Sequence, residues 1–188
     1  MRVGILFSGG KDSTYAAWLA LKNGYEIACL ISIESKNKES YMFHTPSIEQ
    51  VTKQAAAMHL PLIIRKTKGK KEEELRDLEK VIIMAVKKYA IQGVVTGAVA
   101  SVYQSSRIQK ICNKLNIDCF NPLWQKNQIE LLKEIVSHRF QVVIVGVFAY
   151  PLDQTCVGRT IDQRFIKEVS WLYKKYGINP AGEGGEFE

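Results

Sequence analysis

Near the start of the chain, Ser8-Gly9-Gly10-Lys11-Asp12-Ser13 gathers residue types that suit one task, holding an oxyanion. Two adjacent glycines let backbone N–H groups approach an anion closely, and a helix beginning beside them adds partial positive charge. Ser8 and Ser13 carry hydroxyl donors, and Lys11 adds a full charge. Asp12 is out of place among anion ligands unless a cation accompanies the phosphates. It therefore reads as a ligand of Mg²⁺ or of a Mg²⁺-bound water.

Spacing excludes two better-known phosphate loops. The pattern G-x-x-x-x-G-K-[ST] fails because Asp12 follows Lys11 and Ile5 stands where the first glycine belongs. The pattern G-x-G-x-x-G fails because Gly9 and Gly10 are adjacent and Ser13 replaces the third glycine. The turn resembles instead the PP-loop of the adenine-nucleotide alpha-hydrolase (ATP pyrophosphatase) superfamily, whose members split ATP between its α and β phosphates. A plain strand-to-helix turn with a capping serine is the competing reading, and it leaves Lys11 and Asp12 side by side without a purpose.

Three further stretches carry candidate chemistry. In residues 39–46, His44 either stacks on a base, contacts a phosphate, or is a loop histidine bonded to backbone. In residues 97–107, Gly97 permits close backbone approach near a nucleotide. Tyr103, Gln104 and Arg107 open the helix that follows and are expected to point toward the strand-end crevice, Arg107 suiting a phosphate or carboxylate. At the terminus, Glu183 and Glu186 flank Gly184-Gly185. Those carboxylates suit a cationic group, a metal ion or a proton in transit; alternatively the stretch is a disordered acidic tail.

The elements that must position these groups follow from periodicity. The apolar run 3–7 reads as a buried parallel strand and residues 13–21 as an amphipathic helix. Strands are expected at 26–32, 61–65, 93–98 and 117–120. Helices are expected from Pro46, capped by Thr45, to about residue 59, then over 71–89 and from the Ser101 cap through 115. The alternation predicts an α/β fold, a doubly wound five-stranded parallel sheet with ligands bound beyond the carboxyl ends of the strands. From residue 121 the pattern changes to a helix at 128–139, a strong strand at 141–147 and a helix at 163–176. The expected organisation is an ATP-binding domain, 1–120, and a smaller C-terminal α/β lobe, 121–188, that binds substrate.

Composition narrows the class. With 188 residues and 46 % hydrophobic content the chain suits one medium domain with an appended lobe. No apolar run approaches the roughly 18 residues of a membrane span, and no signal-peptide pattern opens the chain, so a cytoplasmic protein is expected. The 4 cysteines form no C-x-x-C pair, which argues against zinc, iron–sulfur and dithiol chemistry. Cys29 and Cys112 fall in apolar patterns and are expected to be buried thiols, and Cys156, read as lying in a polar loop, is the one cysteine to watch. Part of the net charge of +7 gathers in Arg65, Lys66, Lys68, Lys70 and Lys71, either a contact for an acidic macromolecule or a solvated loop.

SGGKDS, ESYMFHTP (39–46), GAVASVYQSSR (97–107), NPLW (121–124) and GEGGEFE (182–188) occur in an order that resembles the archaeal diphthine–ammonia ligase family, the ATP-dependent diphthamide synthetases, over essentially the whole chain. The resemblance implies a HUP-like PP-loop fold. It also implies ATP-dependent adenylylation of the diphthine carboxylate on elongation factor 2, then amination by ammonium, with release of AMP and pyrophosphate. The implied ATP site is Ser8, Gly9, Gly10, Lys11, Asp12, Ser13, Ser32, His44 and Gly97, with Mg²⁺ at Asp12. The implied catalytic groups are Lys11, Asp12, Glu183 and Glu186. Substrate is assigned to Tyr103, Gln104, Arg107, Trp124, Glu183, Gly184, Gly185 and Glu186, Trp124 being equally suited to the core. Val102 stands where the family commonly has an acidic residue, so no catalytic role is placed there. Free ammonium is the expected nitrogen source, nucleic acid and membrane are not expected partners, and a homodimer is left open. The alternatives are a PP-loop enzyme adenylylating a tRNA base and an ATP-binding regulatory module without chemistry.

Overall fold

The computed structural model describes residues 1–35, 48–69 and 71–188, with only the backbone of Lys71 and Glu72. It divides into two compact units, Met1–Leu123 and Trp124–Glu188.

The first unit is a five-stranded sheet, β1 (Arg2–Leu6), β2 (Glu26–Ser35), β3 (Leu62–Thr67), β4 (Gly93–Val95) and β5 (Asp118–Phe120), in the order β3-β2-β1-β4-β5. Every pairing is parallel. The order reverses between β1 and β4, so a crevice opens beyond their carboxyl ends, where such sheets bind ligands. Helices α1 (Lys11–Lys22), α2 (Ile48–Ala57), α3 (Lys71–Tyr89) and α4 (Val102–Leu115) make the crossovers. In α3, buried Leu78, Val81, Ile82 and Ala85 recur at helical spacing and pack on Cys29, Ile31, Ile33 and Ile63 of the sheet and on Ile108, Ile111 and Cys112 of α4. The Ser101 side chain caps α4 by accepting from the Gln104 N–H, and Asn116 closes the helix in the left-handed conformation.

The strand ends depart from the sequence reading in two places. β2 continues to Ser35 because β3 continues with it, pairing Ser35 with Thr67. β4 stops at Val95, three residues early, because its last pairing with β1 joins Ile5 to Val95 and the chain then turns at Gly97.

The second unit packs α5 (Gln128–Ser137) and α6 (Gln163–Tyr176) around Leu132, Ile144, Phe165, Ile166, Val169 and Phe187. Asn127 and Asp162 cap the two helices through their side chains. The strand expected at 141–147 does not form a ladder. This extended segment makes two isolated antiparallel bridges, Val143 with Thr160 and Val147 with Phe187, with backbone hydrogen bonds to residues 158–161 and 186–188 around them. Each neighbour is a short turn that offers too few residues to pair, so the alternation buries Ile144 and leaves Val143 and Val145 exposed. Cys156, in the stretch read as a polar loop, is buried in this core, with Arg159 Nη1 donating to its Sγ at 3.7 Å. Burial of Cys29 and Cys112 agrees with the apolar pattern, and burial raises the Cys29 pKa to about 11.

No helix among the described residues is long and apolar enough to cross a membrane. Truncating the α3 stripe tests the packing directly: Ile82→Ala should lower unfolding free energy by about 2–5 kcal/mol, read from urea denaturation, with the α3 helical signal retained in the folded state.

Candidate functional site

β1 delivers its last residues to the crevice, the Phe7 N–H donating to the Ile31 carbonyl at 2.8 Å. The chain then turns through Gly9, at φ +80°, into α1, whose Gly10 cap position has no side-chain cap. The turn is tied from within. Ser8 Oγ and Ser13 Oγ lie 3.1 Å apart, the Ser8 N–H donates to Ser13 Oγ at 3.3 Å, and Ser13 Oγ donates to the Gly10 carbonyl at 3.1 Å. Thr14 Oγ1 donates to the same carbonyl at 2.9 Å. Ser13, 5 % exposed, thus holds the loop in shape, while Ser8 is the more accessible hydroxyl.

Lys11 Nζ donates to Asp12 Oδ2 at 2.7 Å, with side chains only 12 % and 21 % exposed. The other carboxylate oxygen, Asp12 Oδ1, is buried with no hydrogen-bond partner. A buried, unpartnered carboxylate oxygen beside a phosphate-type loop is chemically suited to a divalent cation. No cluster of three or more histidine, cysteine or acidic side chains suited to a metal exists among the described residues.

The loop is gripped from two sides. A Cβ on Gly97 would stand 2.7 Å from the Ser13 nitrogen and 2.8 Å from the Asp12 carbonyl carbon, so the turn after β4 lies directly on the turn after β1. From α2, Gln54 Nε2 donates to the Gly9 carbonyl at 3.0 Å, and its Oε1 is buried without a partner. Sequence reasoning missed Gln54. Its signal was a polar residue set beside Val51 and Ala55 on the buried stripe of α2. Thr96 and Asn121 were missed too: the Thr96 hydroxyl donates to Asn121 Oδ1 and accepts from the Ala98 N–H at 3.2 Å, fastening the ends of β4 and β5.

Ser32 is buried within β2, one residue past Ile31, the partner of the last residue of β1. His44 lies outside the described residues. In α4, Gln104 sits in the capped first turn, but Tyr103 packs against the α3–α4 core. The Arg107 guanidinium stacks 3.4 Å from the Tyr103 ring centroid, and its Nη1 donates to the Tyr103 carbonyl at 3.3 Å. Arg107 faces a groove shared with α3. Of the basic tract, Arg65 pairs with Asp77 at 3.1 Å and Lys66 with Glu34 at 3.2 Å, so these two charges are matched within the unit.

In the second unit the glycine-rich terminus is an ordered turn. Glu186, 8 % exposed, accepts at Oε1 from the Asn179 N–H and Asn179 Nδ2, each at 2.8 Å, and at Oε2 from the Gly184 N–H at 2.9 Å. Gln128, at the start of α5, supports the same turn by donating to Asn179 Oδ1 and accepting from the Ala181 N–H, each at 3.0 Å. A Cβ on Gly184 would stand 2.6 Å from Glu186 Oε1, so a side chain there would have to displace this carboxylate. Burial pushes the Glu186 pKa up, and the hydrogen bonds from Asn179 and Gly184 outweigh it, leaving the carboxyl below its ordinary value. Phe187 locks the turn by an edge contact with Phe165, 5.5 Å between centroids. Glu183 and Trp124 are half-buried.

Two family descriptions match consecutive parts of the chain: the diphthamide synthase N-terminal domain over residues 1–119 and the diphthamide synthase C-terminal domain over residues 127–188. The chain is 34 % identical to the diphthine–ammonia ligase of Homo sapiens, over 100 % of this chain and 77 % of that protein. It is 28 % identical to the diphthine–ammonia ligase of Schizosaccharomyces pombe, over 100 % of this chain and 34 % of that longer protein. Among solved structures it is similar to the U34-tRNA thiolase NcsA from Methanococcus maripaludis, at TM-score 0.44 and 13 % identity, covering 99 % of this chain and 70 % of that one.

Two outcomes follow from the geometry. Gly97→Ala should weaken ATP binding by about tenfold or more, measured by calorimetry, because backbone rather than a flexible side chain opposes the new methyl. For Glu186 the lowered pKa fixes the sign. Its contribution to stability is complete above the ordinary carboxylate value of 4.5 and is lost as pH falls through the lowered folded value. The urea midpoint of wild type should therefore exceed that of Glu186→Gln at pH 7, and the difference should shrink on acidification below pH 4.5.

Proposed function

The chain belongs to the diphthamide synthase family, and from that we propose that it works as a diphthine–ammonia ligase acting on elongation factor 2. The observation that carries the reading to particular atoms is the Ser8–Ser13 turn, seated at the β1/β4 switch point under Gly97 with α1 uncapped behind it.

In this reading ATP lies with its phosphates on the turn and its nucleoside toward Ser32 and Gly97. The diphthine carboxylate oxygen attacks the α-phosphorus, the α–β bridging bond breaks, and pyrophosphate departs carrying the bridging oxygen. Charge grows on that leaving group, and Lys11, the N–H groups of Gly9 and Gly10, the Ser8 hydroxyl and the α1 N-terminus stabilise it. Asp12 Oδ1 suits Mg²⁺, which when bound neutralises phosphate charge. Ammonia nitrogen then attacks the acyl carbon, the carbon–oxygen bond to AMP breaks, and a proton is lost to give the amide.

Diphthine carries a quaternary ammonium group, which carboxylates and aromatic faces attract. Glu183 supplies such a carboxylate and Trp124 such a ring, with Gly184 and Gly185 shaping the turn, whereas the Tyr103 ring is already covered by the cationic Arg107. Glu186, whose two oxygens are already engaged, serves by holding that turn and keeping its charge. The pairing of Arg65 and Lys66 with carboxylates leaves less of the basic tract for an RNA, which supports a protein substrate over a tRNA.

With ATP, Mg²⁺, ammonium and diphthine-bearing elongation factor 2, AMP should appear in step with the mass change of acid-to-amide conversion. AMP without amide, or no AMP at all, overturns the reading. Lys11→Ala should slow AMP release by about 10²–10³-fold with the thermal midpoint retained. Glu183→Ala should leave ATP affinity unchanged and reduce amide formation; collapse of ATP affinity instead would move Glu183 to the nucleotide.

A further inference from the structure

The groove that receives Arg107 has a composition the ligase reaction does not call on. Its floor is aliphatic, Leu75 of α3 and Ile111 of α4, and its rim carries Arg76, Arg107 and Lys110. Among the described residues no carboxylate pairs with any of these three cations. The one acid in the lining, Glu79, is matched to Lys114 at 2.5 Å. The charge around it is one-sided: residues 1–123 hold 18 basic and 11 acidic side chains, the whole net charge of +7, and residues 124–188 are neutral.

Three unmatched cations round an aliphatic floor favour a ligand with carboxylates beside an apolar side chain. Nucleic acid fits less well. No aromatic face is open in the lining for base stacking, since Arg107 covers the Tyr103 ring. Resting on the reading above, in which the reacting group is one side chain of a folded protein, we propose that the α3–α4 groove docks an acidic segment of the protein substrate. An aliphatic or aromatic residue of that segment would seat on Leu75 and Ile111 and flanking carboxylates would meet Arg76, Arg107 and Lys110. Such a contact holds the substrate protein without touching the reacting carboxyl, so its removal acts on substrate affinity and association rather than on the chemical step.

The test uses the full chain with both rim charges outside the assigned site reversed, Arg76→Glu with Lys110→Glu, and with both neutralised, Arg76→Gln with Lys110→Gln. At saturating ATP and ammonium, KM for diphthine-bearing elongation factor 2 should rise about tenfold or more in the reversed variant and less in the neutral one, at unchanged kcat. Added salt should raise the wild-type KM and have a weaker effect on the neutral variant. An unchanged KM in an enzyme whose wild type makes amide overturns the groove and leaves the ligase reading standing. Calorimetric binding of the same elongation factor without ATP separates the two ideas. Weaker binding in the reversed variant upholds the groove even if no amide forms, and equal binding overturns it. Loss of RNA binding with elongation-factor binding intact also overturns it. A retained thermal midpoint certifies that both variants are folded.

Discussion

The first unit depends on one close approach, the backbone after β4 lying on the backbone that opens α1. With the Gly97 Cα position this near to Asp12 and Ser13, the two crossovers on either side of the switch point constrain each other. The consequence is chemical as well as steric. The N-terminal amides of α1 keep one orientation, which is what an anion site needs if its donors are to be in place before charge develops. Gln54 and the Thr96–Asn121 bond serve the same end from neighbouring elements, one holding the Gly9 carbonyl and the other the tips of β4 and β5.

The unit's architecture was legible because its signals are local and redundant. Apolar runs bounded by turn residues marked each strand, the stripe 78–82–85 marked α3, and Ser101 marked the start of α4. The SGGKDS turn stood out in the sequence because its residue types suit an anion, and in the structure Lys11 pairs with Asp12. What stayed hidden depended on partners distant in sequence. Gln54 meets Gly9 across 45 positions, and the groove that Arg107 faces is completed by Leu75, Arg76 and Glu79 of α3. The segment at 141–147 misled for the same reason: its alternation is that of a strand, but a ladder needs a partner of equal length and its neighbours are turns. The burial of Cys156 was not legible because polar neighbours in sequence say little about a short 3₁₀ turn whose third residue points inward.

Charge divides the chain as clearly as packing does. The positive excess lies wholly in the first unit, which carries the anion-type turn and the α3–α4 groove, while the neutral second unit carries the carboxylate turn. A net positive unit attracts anionic ligands over distances at which a neutral one does not.

Two carboxylates, Glu186 and Asp12, show how structure and chemistry part company. Glu186 has both oxygens filled by Asn179 and Gly184 donors; it is charged, satisfied, and has little left to offer a ligand except through the turn it shapes. Asp12 has one oxygen on Lys11 and one on nothing. Leaving a buried acceptor unmatched costs about 1–3 kcal/mol, a cost that packing alone would have little reason to retain in a loop with serine hydroxyls at hand. That cost is understandable if a ligand supplies the missing partner. The contrast separates the two acids: Glu186 is satisfied by its own turn, and Asp12 has one oxygen that its turn does not satisfy.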